Sequence, residues 1–255
     1  MNFISREHLF SYLKNLLFIG SGSHGECYLD KNTNKVYKIF NQYVDELDDD
    51  WKFNFTKENL LKFSNIENNT YIFPLDVIIV KDEIVGYICD YACGNSLFKT
   101  NPLEVNLDNF SYAISNSLND IQIISLSGVK TFDVTYNTIY GDDGIKIIDC
   151  DDYSFSNMDK DSLFRTNCDN FNYEIIHFFI EGYFDEFISN SPLLKMMFVS
   201  KGVDINLFIS VFRRYLSNVV GFEINYLKDA IPCLNRKKVS TNYKRRLLDN
   251  KKSCW

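Results

Sequence analysis

Three glycines in Gly20-Ser21-Gly22-Ser23-His24-Gly25 follow the apolar run Leu16-Leu17-Phe18-Ile19, and thirteen residues after the last of them stands Lys38. Glycine carries no side chain to hold an anion away, so a turn of this kind lets backbone N–H groups approach phosphate closely. A lysine on the next strand adds a positive charge for the phosphate oxygens. Glu58, twenty residues further on, has the place on a helix from which to anchor that lysine by an ion pair. Each residue also has a plainer reading: an ordinary tight turn, an exposed lysine, a solvated helix face. Asp149, Asp151 and Asp152 close the apolar stretch Ile145-Lys146-Ile147-Ile148. Carboxylates there suit a hard cation such as magnesium, or equally an N-cap for a following turn. The chemistry such a set can perform is phosphoryl transfer. That reaction needs a cover for the phosphates, a cation on their oxygens, an anchor for the cation, metal-binding oxygens and a carboxylate near the incoming hydroxyl.

The elements that must position these residues follow from periodicity. Residues 5–16 have the spacing of a short amphipathic helix, and Leu16 to Ile19 that of a strand. After Gly25 come a β-type segment at Cys27-Tyr28-Leu29, a turn at Lys31-Asn32-Thr33-Asn34 and an alternating strand from Lys35 to Phe40. The glycines therefore open a hairpin, whereas a dinucleotide-binding fold would place a helix after them. Thr56 to Phe63 reads as helix, and Tyr71 to Val80 and Glu83 to Tyr91 read as two strands joined at Lys81-Asp82. A long helical pattern from Leu107 to Leu126 precedes a hairpin around Gly141-Asp142-Asp143-Gly144, and the remainder reads as helical. Strands gathered in one half and helices in the other make an α+β pattern with a seam near residues 91–95.

In order and approximate spacing, the glycine triplet with Tyr28, Val36-Tyr37-Lys38 and Glu58 resembles the N-terminal lobe of the protein kinase family. Gly86 to Leu97 is similar to that family's hinge. The resemblance implies an α+β, bilobal protein-kinase-like fold: an antiparallel N-lobe sheet plus one helix over about 1–91, a hinge at about 91–95, and a mostly helical C-lobe over about 96–235 with a shortened activation segment. All of it would be one domain over 1–255 with a basic tail at 236–255. ATP and magnesium are the implied cofactors. Gly20, Ser21, Gly22, Ser23, Gly25 and Lys38 would hold the nucleotide, with the Asp90 carbonyl and Ala92 amide on adenine. Asp133 and Asn137, in Thr131-Phe132-Asp133-Val134-Thr135-Tyr136-Asn137, resemble the catalytic loop, and Asp149 resembles the metal-binding aspartate. On this likeness Asp133, Lys38 and Glu58 are catalytic, and Asn137 and Asp149 hold metal. Asp169 to Ile176 is similar to the start of the helix that supports the loop.

The likeness spans about residues 16–182 and departs from the family at definable places. Thr131-Phe132 replaces His-Arg, Thr135 replaces a lysine, and Asp151 replaces a glycine. Asn137 follows Asp133 by four residues instead of five, so Thr138 competes for the ligand position. Twenty residues separate Asp149 from Asp169, and no Ala-Pro-Glu follows. Three functions stay open: a serine/threonine-type protein kinase, a pseudokinase that binds nucleotide as a regulatory module, and a small-molecule kinase of the aminoglycoside-phosphotransferase kind.

Composition excludes several other classes. With 45% hydrophobic and 24% charged residues, 255 residues can bury a substantial core. Seven cysteines without a CxxC pair indicate neither a zinc site nor a disulfide framework. No apolar run reaches the ~18 residues of a membrane helix, and Glu7, His8 and Lys14 interrupt the first stretch, so the expected location is cytoplasmic. Residues 236–252 hold eight basic side chains against Asp249 alone, so the net charge of −7 is +7 in this tail and −14 over the rest. An acidic partner, nucleic acid or an anionic membrane would suit such a tail, and so would a solvated helix. The acidic patch Asp45 to Asp50 reads as a solvated loop or helix start, and the three histidines share no ligand spacing.

Overall fold

The computed structural model describes residues 1–22, 24–41, 56–132, 134, 136–150, 152–180, 184–200 and 202–233. Ser23, Asp133, Thr135, Asp151, the acidic patch and the basic tail lie outside the described residues. The chain forms two compact units. The first holds residues 1–92 together with 147–153, and the second holds 93–146 and the chain from 154 onward.

The first unit is built on a six-stranded sheet. Its strands are β1 (Asn2–Phe3), β2 (Leu17–Ser21), β3 (Gly25–Asp30), β4 (Lys35–Phe40), β5 (Asp76–Val80) and β6 (Glu83–Asp90), in the spatial order β1-β5-β6-β4-β3-β2. All neighbours are antiparallel except β1 and β5, which run parallel, so the sheet is mixed. A two-residue strand carries no periodicity, which is why the sequence reading contains no β1.

Each turn has a local cause. Asp30 accepts hydrogen bonds from the Asn32 amide (2.9 Å) and the Thr33 hydroxyl (2.9 Å), and Asn34 takes a left-handed φ of 56° to close the β3–β4 turn. Lys81 and Asp82 both have positive φ (47° and 71°), the twist that a two-residue hairpin between β5 and β6 requires.

Alternation along β4 gives the sheet two apolar faces. Tyr37 and Ile39 join Phe3, Ile78, Val80 and Val85 under helix α1 (Arg6–Leu13), which contributes Leu9 and Leu13. Val77 and Tyr87 face the other way and pack with Leu60 of helix α2 (Lys57–Leu61), with Phe40 and Cys89 beside them. Among the described residues two helices thus serve this sheet, one on each face. The run that reads as a strand from Tyr71 forms a ladder only from Asp76. Tyr71 makes a lone bridge to Ile147 instead.

The second unit contains α3 (Leu107–Leu126), α4 (Lys160–Ile180), α5 (Asp185–Asn190), α6 (Pro192–Val199) and α7 (Ile205–Val220). A three-stranded sheet combines β7 (Asn95–Ser96), β9 (Thr138–Gly141) and β10 (Gly144–Ile147), the last ending where the chain passes into the first unit. Short β8 (Val129–Lys130) pairs with β11 (Ser154–Phe155). Helix α4 begins at Lys160, capped by Asp159 through the Ser162 amide (2.9 Å), so Asp169 lies inside it and not at its start. The connection from Asp149 to the helix is consequently the ten residues 150–159. Among the described residues no helix is long and apolar enough to cross a membrane.

Candidate functional site

Lys38 occupies the middle of β4, in register with Cys27 on one side and Tyr87 on the other. It is 7% exposed, a position in which an ammonium group requires compensation. The compensation comes from Asp149, whose carboxylate Oδ1 accepts a charge-assisted hydrogen bond from Lys38 Nζ. The Tyr87 ring lies 5.2 Å from the same ammonium.

Asp149 reaches this place because its segment is stitched to the first unit. The Ile147 amide donates to the Thr70 carbonyl (2.6 Å), the Ile72 amide donates to the Ile147 carbonyl (2.9 Å), and the Tyr153 ring meets Tyr71 edge-on at 6.0 Å. Asp149 itself takes a left-handed φ of 59°, which aspartate tolerates better than most residues. Its side chain keeps 38% exposure. One carboxylate oxygen is engaged by Lys38, and the side chain is partly exposed.

The glycines divide into two kinds. A Cβ at Gly25 would sit 2.2 Å from the Ile39 carbonyl oxygen, so the sheet itself excludes a side chain there. At Gly20 and Gly22 no atom of the described residues lies within 4 Å of that position, and neither has a positive φ. Among the described residues nothing packs against a side chain there, which leaves room for a ligand. The hairpin closes through the Gly22 amide on the Gly25 carbonyl (2.8 Å), with Ser21 exposed next to it. Tyr28 faces α1, opposite to Lys38, and burial followed by the Glu26 carboxylate pushes its phenol up to about 12. Cys27, which the sequence reading passed over, is the hairpin residue in register with Lys38.

At the end of β6 the Tyr91 amide donates to the Asn34 carbonyl (3.2 Å). In an antiparallel pair both backbone groups of such a residue face its partner strand. The Asp90 carbonyl therefore points to the opposite edge, and the ladder to β5 stops at Ile88. The Asp90 side chain is taken up by Lys35 (2.6 Å).

Glu58 does not join Lys38. It is exposed in the first turn of α2, and among the described residues it makes no ion pair. The helix is only five residues long, and the side chains it turns to the sheet are Leu60 and, partly buried, Leu61.

In the second unit Thr138 is fully buried, and its hydroxyl donates to the Val134 carbonyl (3.1 Å). Asn137 is half-buried, and of the two it is the side chain that keeps solvent access. The residues before Asp133 are held by a buried network that the sequence did not announce. Asn167 on α4 accepts from the Thr131 amide (2.9 Å) and hydroxyl (3.0 Å), and donates to the Ser125 hydroxyl (2.8 Å) and the Val129 carbonyl (2.8 Å). Asn170 adds a bond to the Thr131 carbonyl (3.2 Å).

No protein-family model matches the chain, and no curated protein matches it in sequence. Among solved structures it is similar to the PknI kinase domain of Mycobacterium tuberculosis at 14% identity and a TM-score of 0.54, over 78% of this chain and 94% of that one. Single- and double-mutant forms of the same domain align at 13% and 14% identity with the same TM-score, over 78% of this chain and 93% of theirs. The chain has an α+β protein-kinase-like fold. At this identity the likeness carries the fold alone.

Proposed function

We propose that the protein is an ATP- and magnesium-dependent phosphotransferase, a serine/threonine-type protein kinase that moves the γ-phosphoryl group of ATP to a hydroxyl. The observation that carries the reading is the buried Lys38 paired with the partly exposed Asp149 on the sheet face that Cys27 shares, with no described residue close to where a side chain would stand at Gly20 and Gly22. Lys38 binds phosphate oxygens, the glycine hairpin brings backbone amides to them, and the Asp90 carbonyl and Ala92 amide receive adenine. Magnesium supplies charge neutralisation on the phosphates when bound, and Asn137 and Asp149 are the residues that would hold it. Asp133 orients the acceptor hydroxyl and takes its proton. Glu58 has no part as the anchor of Lys38.

A small-molecule kinase is the second reading, favoured by the ten-residue connection between Asp149 and α4, which leaves little chain to build a peptide-docking platform. Nucleotide binding without transfer is the third, favoured by Phe132, 59% exposed where the kinase family has arginine.

The test is a paired assay of nucleotide binding and γ-phosphoryl transfer with magnesium, on wild type, Lys38→Ala, Asp133→Ala and Asp149→Ala. Binding with transfer that each substitution removes supports the proposal. Transfer to a metabolite but to no protein establishes the second reading, binding without transfer the third, and no binding overturns all three.

A further inference from the structure

Helix α2 lies on the face of the sheet that carries Lys38, yet its acidic residue stands in solvent. What α2 sends inward is Leu60, 3% exposed, which packs with Val77 and Tyr87, with Leu61 partly buried beside it. Tyr87 is itself 3% exposed, is the cross-strand partner of Lys38, and is steadied edge-to-face by Phe40 at 6.0 Å. Gly86 makes the approach possible, since a Cβ there would lie 2.1 Å from the Lys38 carbonyl oxygen. The ring thus meets the Lys38 ammonium at 5.2 Å in a water-poor setting, where a π-face attracts a cation most strongly.

We propose that Tyr87 is the positioning residue for Lys38, and that α2 acts on the lysine through the stack Leu60–Tyr87–Lys38 and not through Glu58. The ring face fixes the direction of the ammonium while Asp149 balances its charge. Packing and a quadrupole take the place of an ion pair to Glu58, beside the ion pair that Lys38 makes with Asp149. The inference rests on the proposed nucleotide role of Lys38 only for its functional consequence.

The test is competitive acylation of the nucleotide-free protein with acetic anhydride, read by mass spectrometry as the rate at Lys38 relative to exposed Lys31. Tyr87→Leu uncovers the amine and is expected to raise that ratio by about fivefold or more, whereas Tyr87→Phe, which keeps the ring, stays within about twofold of wild type. Leu60→Ala, which loosens the ring without deleting it, raises the ratio too and serves if Tyr87→Leu does not fold. Glu58→Ala leaves it unchanged. An unchanged ratio in Tyr87→Leu or Leu60→Ala, or a rise in Glu58→Ala as large as theirs, overturns the proposal. A parallel titration with magnesium–ATP is expected to show weakened binding in Tyr87→Leu and rescue in Tyr87→Phe. If no form binds nucleotide, the functional reading fails while the acylation result still decides the role of Tyr87.

Discussion

Asn167→Ala removes four hydrogen bonds from a site in which Asn167, Thr131, Ser125 and Val129 are all 0% exposed. The Thr131 hydroxyl can turn toward another acceptor and the Ser125 hydroxyl loses one donor, but the Thr131 amide and the Val129 carbonyl are left without their partner where water cannot replace it. Each orphaned backbone group costs about 1–3 kcal/mol, and the space vacated by the carboxamide adds to this. A loss of about 3–5 kcal/mol follows, or roughly 8–15 °C in Tm for a chain of this size. Asn167→Asp keeps both accepted bonds but turns an anion toward the Val129 carbonyl, so it too destabilises, and less at acid pH. Urea denaturation followed by tryptophan fluorescence and by far-ultraviolet circular dichroism measures the loss. Because Thr131 precedes Asp133 by two residues, partial loosening is expected to lower transfer more than nucleotide binding. A stability change below about 1 kcal/mol in Asn167→Ala would refute the reasoning, because it would mean that the network is not closed to water.

Gly25→Ala must displace the Ile39 carbonyl and is expected to lower the melting temperature, whereas Gly20→Ala and Gly22→Ala leave it unchanged and weaken nucleotide binding; calorimetry with and without magnesium–ATP separates the two effects. Iodoacetamide at pH 8 is expected to modify exposed Cys93 and to spare Cys168, whose thiol is pushed up to about 12 by burial and by the charges of Asp169 and Asp204; peptide mass spectrometry reads both sites. The Ser162 hydroxyl and amide hold the Asp159 carboxyl below the usual carboxylate range, so its stabilisation of α4 is present at neutral pH and fades as pH falls through that lowered value. Asp159→Asn keeps a capping acceptor and is expected to lose this acid dependence, which melting curves between pH 2 and 7 check, with the limits of about 2 and 7 chosen to bracket the carboxylate range.

Several elements were legible because their causes are local. The glycine hairpin, the Asp30–Asn34 turn and the long helix Leu107–Leu126 declare themselves through turn chemistry and period. So did the succession of strands along the chain before and after Lys38, though not their spatial order. The start of α4 was misplaced toward Asp169, although Asp159 followed three residues later by Ser162 is a local capping signal that marks Lys160. The parallel strand β1 was missed, because two residues hold no pattern.

The candidate site shows the same division. Residue types and spacing left Lys38 and Asp149 each with a plainer reading, and only the resemblance to the protein kinase family put the two into one expected site. Which partner the lysine takes was decided in three dimensions. Glu58 has the spacing of an anchor, but α2 is one short turn whose burial is satisfied by Leu60, and the acid falls on the outer side. Asp149 wins because backbone bonds from Ile147 to Thr70 and Ile72 draw a distant segment into the first unit. Tyr87 and Asn167 lay hidden for the same physical reason. A buried aromatic or carboxamide looks in sequence like any other core or polar residue, and only the folded chain shows which ammonium faces the ring and which backbone groups complete the amide.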